Sequence, residues 1–494
     1  MGIVIGCDIG TQSVKGVAMD EDGRIVGEAS VAYGTRFPQE AHAEQDLDTW
    51  RLATVDVLAD LGRQVGARRP EVSHVAIDAQ VDGIVGVSAD LSPRTPALIW
   101  LDRRAVSERA RLEEAVGSRR IAELTGLNPD SSHGAPKIMW LRSRHGADVR
   151  WWLSPCSAVV AGLTGEVVQD HANASSTMLY DVRRREWAAE MLAAADIEPA
   201  SLAEIREATD TAGVLRSDIA AATGLPAGCA VLVGTGDDHA AAVSAGGTRP
   251  GVVVDITGTA EPVGVSCASP VFDPERLVET HAHAVAGAWF FQHPGIVSGG
   301  SVLWIAEVLA VDQSAVFTLA ADAPPASRGL LFLPALCGSM SPRWNECARG
   351  ALTGASMNHK RPEIARAVLE GCTFALRDIL DRIQALTGNV HELRATGGGA
   401  RSDLWLQMKS DITGRVVRRV AGAGPAAGAA CLAAVAAGWF SDIPEASDEL
   451  VVLETRSFDP DPAAAAVYED AYGRYRDMFD ALEPTFASGG SERR

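Results

Sequence analysis

Short Val- and Ile-rich runs closed by glycine alternate along the chain with Ala-, Leu- and Arg-rich stretches, the pattern of layered α/β domains. The runs predict strands over Ile3–Cys7, Val14–Met19, Val75–Asp78, Val231–Val233 and Val252–Ile256. From Pro362 to Leu386 the period changes: Ile364, Val368, Cys372, Leu376, Ile379 and Ile383 recur every three or four residues, one face of a helix. Pro362 suits its first turn and Gly388 its stop. Ser244-Ala245-Gly246-Gly247-Thr248-Arg249-Pro250-Gly251 breaks both periods, which places a domain boundary there, with domains of about 1–247 and 248–494. Ser488-Gly489-Gly490-Ser491-Glu492-Arg493-Arg494 reads as a disordered tail.

A weak internal repeat crosses that boundary. Ile5-Gly6-Cys7-Asp8-Ile9-Gly10-Thr11 opens the chain, and Val252-Val253-Val254-Asp255-Ile256-Thr257-Gly258-Thr259 follows the break. Each is an apolar strand ending in Asp, then a Gly-Thr turn. Such turns form ordinary tight hairpins, but two of them, each at a domain start, suggest a duplicated core able to hold a polyphosphate from both sides. Glycine admits close backbone approach, its N–H donates to anionic oxygens, and Thr adds a hydroxyl.

Two further segments carry chemistry. Val231-Leu232-Val233-Gly234-Thr235-Gly236-Asp237-Asp238 runs from a buried strand through a glycine turn to paired carboxylates at the start of a helix. Asp237 or Asp238 either caps that helix or takes a proton from an attacking hydroxyl. Leu393-Arg394-Ala395-Thr396-Gly397-Gly398-Gly399-Ala400 is a strand entering a triple glycine, where a ring or ribose could lie against bare backbone, before a helix capped by Ser402. None of these loops fits the dinucleotide or Walker glycine patterns.

Composition narrows the function class. The 494 residues are 47% hydrophobic and 22% charged, as in a globular protein of two or three domains. A formal charge of −20 argues against nucleic acid or an anionic membrane as partner. No apolar run is long enough to span a bilayer, and Met1-Gly2-Ile3-Val4-Ile5 reads as a strand rather than a secretion signal, so the expected location is the cytoplasm. The eight cysteines are scattered and read as buried reduced thiols.

The ordered set of motifs resembles the FGGY carbohydrate kinases, and among these the xylulokinases. Besides the segments above it includes Gln80-Val81-Asp82-Gly83, Ile99-Trp100-Leu101-Asp102-Arg103-Arg104, Ala135-Pro136-Lys137, Leu163-Thr164-Gly165-Glu166, Phe332-Leu333-Pro334, Glu370-Gly371 and Gly424-Pro425-Ala426-Ala427-Gly428. The resemblance implies two duplicated actin/hexokinase-like (ribonuclease H-like) α/β domains with a cleft between them, using ATP and Mg²⁺. It makes Asp237 the general base and gives Asp8, with Asp237, the Mg²⁺ through water. Gly10, Thr11, Lys15, Gly258 and Thr259 would contact phosphates, and Gly398, Gly399 and Ala400 would border the adenosine. Gln80, Val81, Asp82, Trp100 and Asp238 would form the sugar pocket. The implied partner is a small sugar or polyol, with no nucleic acid and no membrane; a homodimer stays open.

The chain departs from the family in places. Val81-Asp82-Gly83 stands where xylulokinases usually carry Met-His-Gly, Gly338-Ser339-Met340-Ser341-Pro342 lacks the usual Glu and Arg, and Gly134 and Ala355 leave the signature patterns. A ketopentose such as xylulose is the expected acceptor. The rivals are a polyol kinase of glycerol or erythritol type, which Asp82 favours, and an inactive nucleotide-dependent sugar sensor. Outside these motifs, His281 and His283 fall on one face of a strand with no third metal ligand evident, and Trp151-Trp152 reads as packing rather than a sugar platform. Arg103-Arg104 reads as solvated charge at a helix start rather than a phosphate contact.

Overall fold

The computed structural model of the protein describes residues 2–146, 148–339, 344–345, 347–388, 390–422 and 424–486. The expected tail and Met340, Ser341 and Pro342 lie outside the described residues. Two mixed sheets of seven strands each form the framework. In the first, Ile3–Ile9, Ser13–Asp20 and Ile25–Ala32 make an antiparallel meander. Val72–Ala79 runs parallel to Ile3–Ile9 on its free side, Ala230–Leu232 continues the parallel set, and Thr211–Val214 closes the edge antiparallel. All seven residues of Ile3–Ile9 are buried, which explains its unbroken apolar run: a strand covered on both faces has no polar side to alternate with.

The second sheet repeats this plan. Val252–Ile256 pairs antiparallel with Val263–Cys267, which pairs with Trp289–His293, and Glu279–Ala282 lies at that edge. On the other side come the parallel strands Glu392–Thr396 and Val416–Ala421, then antiparallel Val452–Phe458. The repeat read from two short segments therefore extends through both sheets. Both Gly-Thr turns are hairpin turns, as the plainer reading had it, and they occupy equivalent places in the two sheets.

The helix Arg361–Thr387 buries Val368, Cys372, Leu376, Ile379 and Ile383 in the second core and ends at Gly388, whose φ of 83° is the left-handed stop that glycine supplies. Where the halves meet, two small-residue helices cross over. Pro425–Ala436, from the second half, packs Ala429, Ala430 and Ala433 with Val4, Ala76 and Leu232 of the first sheet. Asp237–Ser244, from the first half, packs Ala242 with Val254, Phe290 and Val420 of the second. The contacts are backbone-close: a Cβ at Gly428 would run into the Ala240 carbonyl, and one at Gly6 into Ala426 and Ala430.

Some expectations need correction. Arg104 is not a solvated charge; its side chain is buried and paired with Asp102 and Glu44, and the helix begins only at Val106. Arg103 pairs with Asp130. All eight cysteines are free, but Cys337 and Cys347 are exposed rather than buried. Trp152 is buried in a core cluster and Trp151 lies under Arg150, so this pair packs, as expected.

Candidate active site

The first sheet gathers carboxylates at the C-terminal ends of its parallel strands. Asp8 and Asp78 are register partners on Ile3–Ile9 and Val72–Ala79, and Thr235 is the register partner of Asp78 on the far side. In-register neighbours of parallel strands project to the same face. Asp237 follows two residues after Thr235, at the start of the helix Asp237–Ser244. The helix is capped by Gly236 without any side-chain bond, so neither Asp237 nor Asp238 is its cap. Asp237 Oδ1 accepts instead from the Asp238 N–H at 3.0 Å, and Asp238 Oδ2 accepts from Gln292 Nε2 of the second sheet at 2.9 Å.

Asp8 is 5% exposed and Asp78 wholly buried. Burial pushes the Asp8 carboxyl up to about 6 against the pull of Lys15, its exposed partner across the hairpin. Burial, then Asp8 and Asp237, hold Asp78 far above the usual carboxylate range. Burial, Asp238 and Asp8 do the same for Asp237. With both ionised, Asp8 Oδ1 and both Asp78 oxygens lack a hydrogen-bond partner among the described residues; a proton kept by Asp78 is shared with Asp8. This all-oxygen donor set with orphaned oxygens fits a hard cation such as Mg²⁺, which takes one or two carboxylates and keeps several waters. It is no closed cage: among the described residues no group of three His, Cys, Asp or Glu side chains could hold a metal. That includes His281 and His283, whose rings lie 6.1 and 5.7 Å from that of His239 and which burial pushes down to about 4.

The Gly10-Thr11 turn is tied into the same region. Trp100 Nε1 donates to Thr11 Oγ1 at 2.9 Å, joining a residue expected in the sugar pocket to one expected at phosphate. Gln80 is buried and donates to Gln45 Oε1, while Gln45 Nε2 donates to the Thr11 carbonyl, so Gln80 supports the turn from behind. Val81 lies against Gly236, where a Cβ would strike its Cγ1 at 2.5 Å. Asp82 takes a φ of 60°, its carbonyl accepts from Lys137 Nζ at 2.7 Å, and its Oδ1 is 3.0 Å from His133 Nδ1.

In the second half, glycine turns stack on one another. Gly399 N–H donates to the Thr257 carbonyl, while Gly299 and Gly300 donate to the Gly258 and Thr259 carbonyls. Gly258, Thr259 and Gly398 are exposed, whereas Ala400 is buried and its carbonyl accepts from Arg419. Beneath the turn, buried Lys409 donates to Asp255 Oδ2 at 2.5 Å, Thr257 Oγ1 at 2.7 Å and Glu261 Oε1 at 2.5 Å. Asp255, the repeat partner of Asp8, is thus neutralised where Asp8 is not.

Asp78, His133, Gln292, Lys409 and Gly299-Gly300 were not singled out from sequence. Asp78 alone carried a local signal, an Asp closing a predicted strand. A cavity of about 1380 Å³ lies elsewhere, lined by Gly126, Arg183, Trp187, Phe272 and Arg276 among others, and contains none of these groups.

Residues 3–244 match the FGGY family of carbohydrate kinases, N-terminal domain, and residues 254–437 match its C-terminal domain. Xylulose kinases dominate among the close relatives. Xylulose kinase of Klebsiella pneumoniae is 32% identical over 487 residues, spanning 97% of this chain and 99% of that protein. Glycerol kinase of Thermococcus kodakarensis is 27% identical over 456 residues, 90% of each chain. The crystal structure of xylulose kinase from Rhodospirillum rubrum superposes with a TM-score of 0.91 at 27% identity, covering 98% of this chain and 100% of that one. The chain belongs to the FGGY family of carbohydrate kinases.

Proposed function

We propose that the protein transfers the γ-phosphate of ATP to a hydroxyl of a small carbohydrate, a ketopentose such as xylulose, between two ribonuclease H-like domains of the actin/hexokinase kind that divide near residues 247 and 248. The observation that carries this reading is the convergence of Asp8, Asp78 and Asp237 at neighbouring strand ends, beside the Gly10-Thr11 turn. The name of the Klebsiella relative favours the ketopentose. Asp82 and the glycerol kinase likeness favour a polyol as the second reading.

In the mechanism, Asp237 accepts the proton of the substrate hydroxyl as its oxygen bonds to the γ-phosphorus and the bond from that phosphorus to the β,γ-bridging oxygen breaks, leaving ADP. Burial, Asp238 and Asp8 raise the proton affinity of this carboxylate, which makes it the stronger base once it is ionised. Asp8, and Asp237 through water, would hold Mg²⁺, which supplies positive charge against the phosphate oxygens. The Gly10-Thr11 and Gly258-Thr259 turns orient the phosphates through the Thr11 and Thr259 N–H groups, because the Gly10 N–H is spent on the Ser13 carbonyl and the Gly258 N–H on those of Ile256 and Ala260. Lys15 lies nearby, while Gly398, Gly399 and Ala400 border the nucleoside. Val81, Asp82, Trp100 and Asp238 surround the sugar, with Gln80 behind them. Positioning and charge neutralisation carry most of such catalysis.

ADP release across xylulose, ribulose, glycerol and erythritol tests the reading; no release with any acceptor would leave the sensor alternative standing. The phosphate turns give a separate prediction. A Cβ built at Gly10 meets no protein atom nearer than 3.5 Å, an ordinary contact, and one at Gly258 meets the Ala260 carbonyl oxygen at 3.2 Å. Gly10→Val is therefore expected to fold without change and Gly258→Val with a small shift of that carbonyl. Their side chains obstruct the ligand side, so titration calorimetry should show ATP binding weakened more than sugar binding. Equal losses for both ligands would point to general damage.

A further inference from the structure

His133 sits one residue before the helix Gly134–His145, and its side chain makes no capping bond. It faces Asp82 instead, Nδ1 to Oδ1 at 3.0 Å, with the two side chains only 6% and 19% exposed. The Asp82 turn is itself immobilised, because Lys137 Nζ bridges the Asp82 and Ile99 carbonyls at 2.7 and 2.8 Å. Among the described residues, neither Asp82 Oδ2 nor His133 Nε2 has a hydrogen-bond partner; Asp82 Oδ1 and His133 Nδ1 are occupied with each other. Two further carboxylates share this neighbourhood: Asp238, held by Gln292, and Glu279, whose Oε1 accepts from the Asn128 N–H at 2.8 Å.

We propose that His133 is a specificity-determining residue: with Asp82 it forms a donor–acceptor pair that reads two adjacent hydroxyls of a neutral substrate, at the end away from the phosphorylated carbon. His133 Nε2–H donates to one hydroxyl oxygen, and Asp82 Oδ2 accepts from the next hydroxyl. Burial opposes the imidazolium, but Asp82, with Glu279 and Asp130 beyond it, pushes His133 up to about 9, so both ring nitrogens carry protons at neutral pH. A sugar acid whose carboxylate faced Asp82 Oδ2 would meet like charge there, so a neutral substrate is preferred. The inference rests on the kinase reading above and adds the part of the substrate that is recognised.

The experiment compares kcat/KM for the best of xylulose, ribulose, erythritol and glycerol, for its monodeoxy analogues and for gluconate. The enzymes are the unaltered protein, His133→Gln, His133→Asn, Asp82→Asn and the double variant His133→Gln/Asp82→Asn, each checked by circular dichroism. In the unaltered protein, one distal deoxy analogue and gluconate should be poorer substrates than the parent by on the order of 10⁴. His133→Gln should lower kcat/KM for the parent roughly 10- to 100-fold, the weight of a charged hydrogen bond, and hardly change it for that analogue. The double variant should lose less than the product of the single losses. A uniform loss across parent and analogues, or gluconate turned over as well as the parent, overturns the inference while leaving the kinase reading intact. If His133→Gln fails to fold, His133→Asn gives the same comparison. Absence of ADP release by the unaltered protein with every acceptor overturns the kinase reading, and this inference with it.

Discussion

Asp237→Asn is expected to lower turnover by roughly 10²–10⁴, the usual weight of general-base catalysis, with ATP binding and the fold retained. The structure makes this substitution a clean one. Asp237 does not cap its helix, which begins on Gly236, so the amide removes no capping interaction. Of the two backbone N–H groups that support its carboxylate, those of Asp238 and Val81, the asparagine carbonyl oxygen can still accept from the Asp238 N–H. What is lost is the capacity to take a proton and one negative charge beside Asp8 and Asp238. Losing that charge relieves repulsion, so the variant should be no less stable than the parent. Single-turnover measurement of ADP formation with saturating acceptor isolates the chemical step. Turnover within a few-fold of the parent would remove Asp237 from the role of base.

Lys409→Met is expected to destabilise the protein by about 3–5 kcal/mol, the cost of stripping one partner from a buried ion pair. Lys409 and Glu261 are 1% exposed and Asp255 is fully buried, so solvent cannot replace the lost ammonium. Burial and Asp255 already push Glu261 up to about 8 against the pull of Lys409, and removing the lysine leaves Asp255 facing it with only Thr257 for support. The damage should reach the Gly398-Gly399 turn, because Thr257 also accepts from the Gly399 N–H. The urea midpoint provides the measurement. Adding Asp255→Asn to Lys409→Met should recover a large part of the loss, since two neutral groups of similar shape replace a stranded charge. If the double variant is no more stable than the single one, a packing defect accounts for the effect and the charge does not.

The parts of the fold legible in the sequence are those governed by local pattern. Val252–Ile256 forms as expected, and the helix from Pro362 differs from the observed Arg361–Thr387 by a residue at each end, because its period and glycine stop are written in adjacent residues. Ile3–Ile9 runs past its expected end at Cys7, since pairing carries the ladder through Asp8, and Val72–Ala79 begins before the expected Val75 and ends one residue after Asp78. The candidate site was legible where a motif names it and obscure where only pairing creates it. Nothing around Asp78 says that its strand will lie parallel to Ile3–Ile9, and that register alone brings its carboxyl beside Asp8. His133 meets Asp82 across a separation of 51 residues, and Lys409 meets Asp255 across 154. Arg104 was misread for the same reason: its partner Glu44 lies 60 positions away.

The crossed helices at the centre of the molecule make its halves interdependent. Pro425–Ala436 shields a sheet built by the opposite end of the chain, and Ala242 packs onto a sheet that begins only after the break. A fragment ending near residue 247 would display Val4, Ala76 and Leu232 uncovered, and its complement would display Val254, Phe290 and Val420 without Ala242 and Ala245. Neither piece is a self-sufficient module in the way that beads on a string are. The two fragments should be recovered together or not at all, re-forming a nicked but complete molecule when co-expressed.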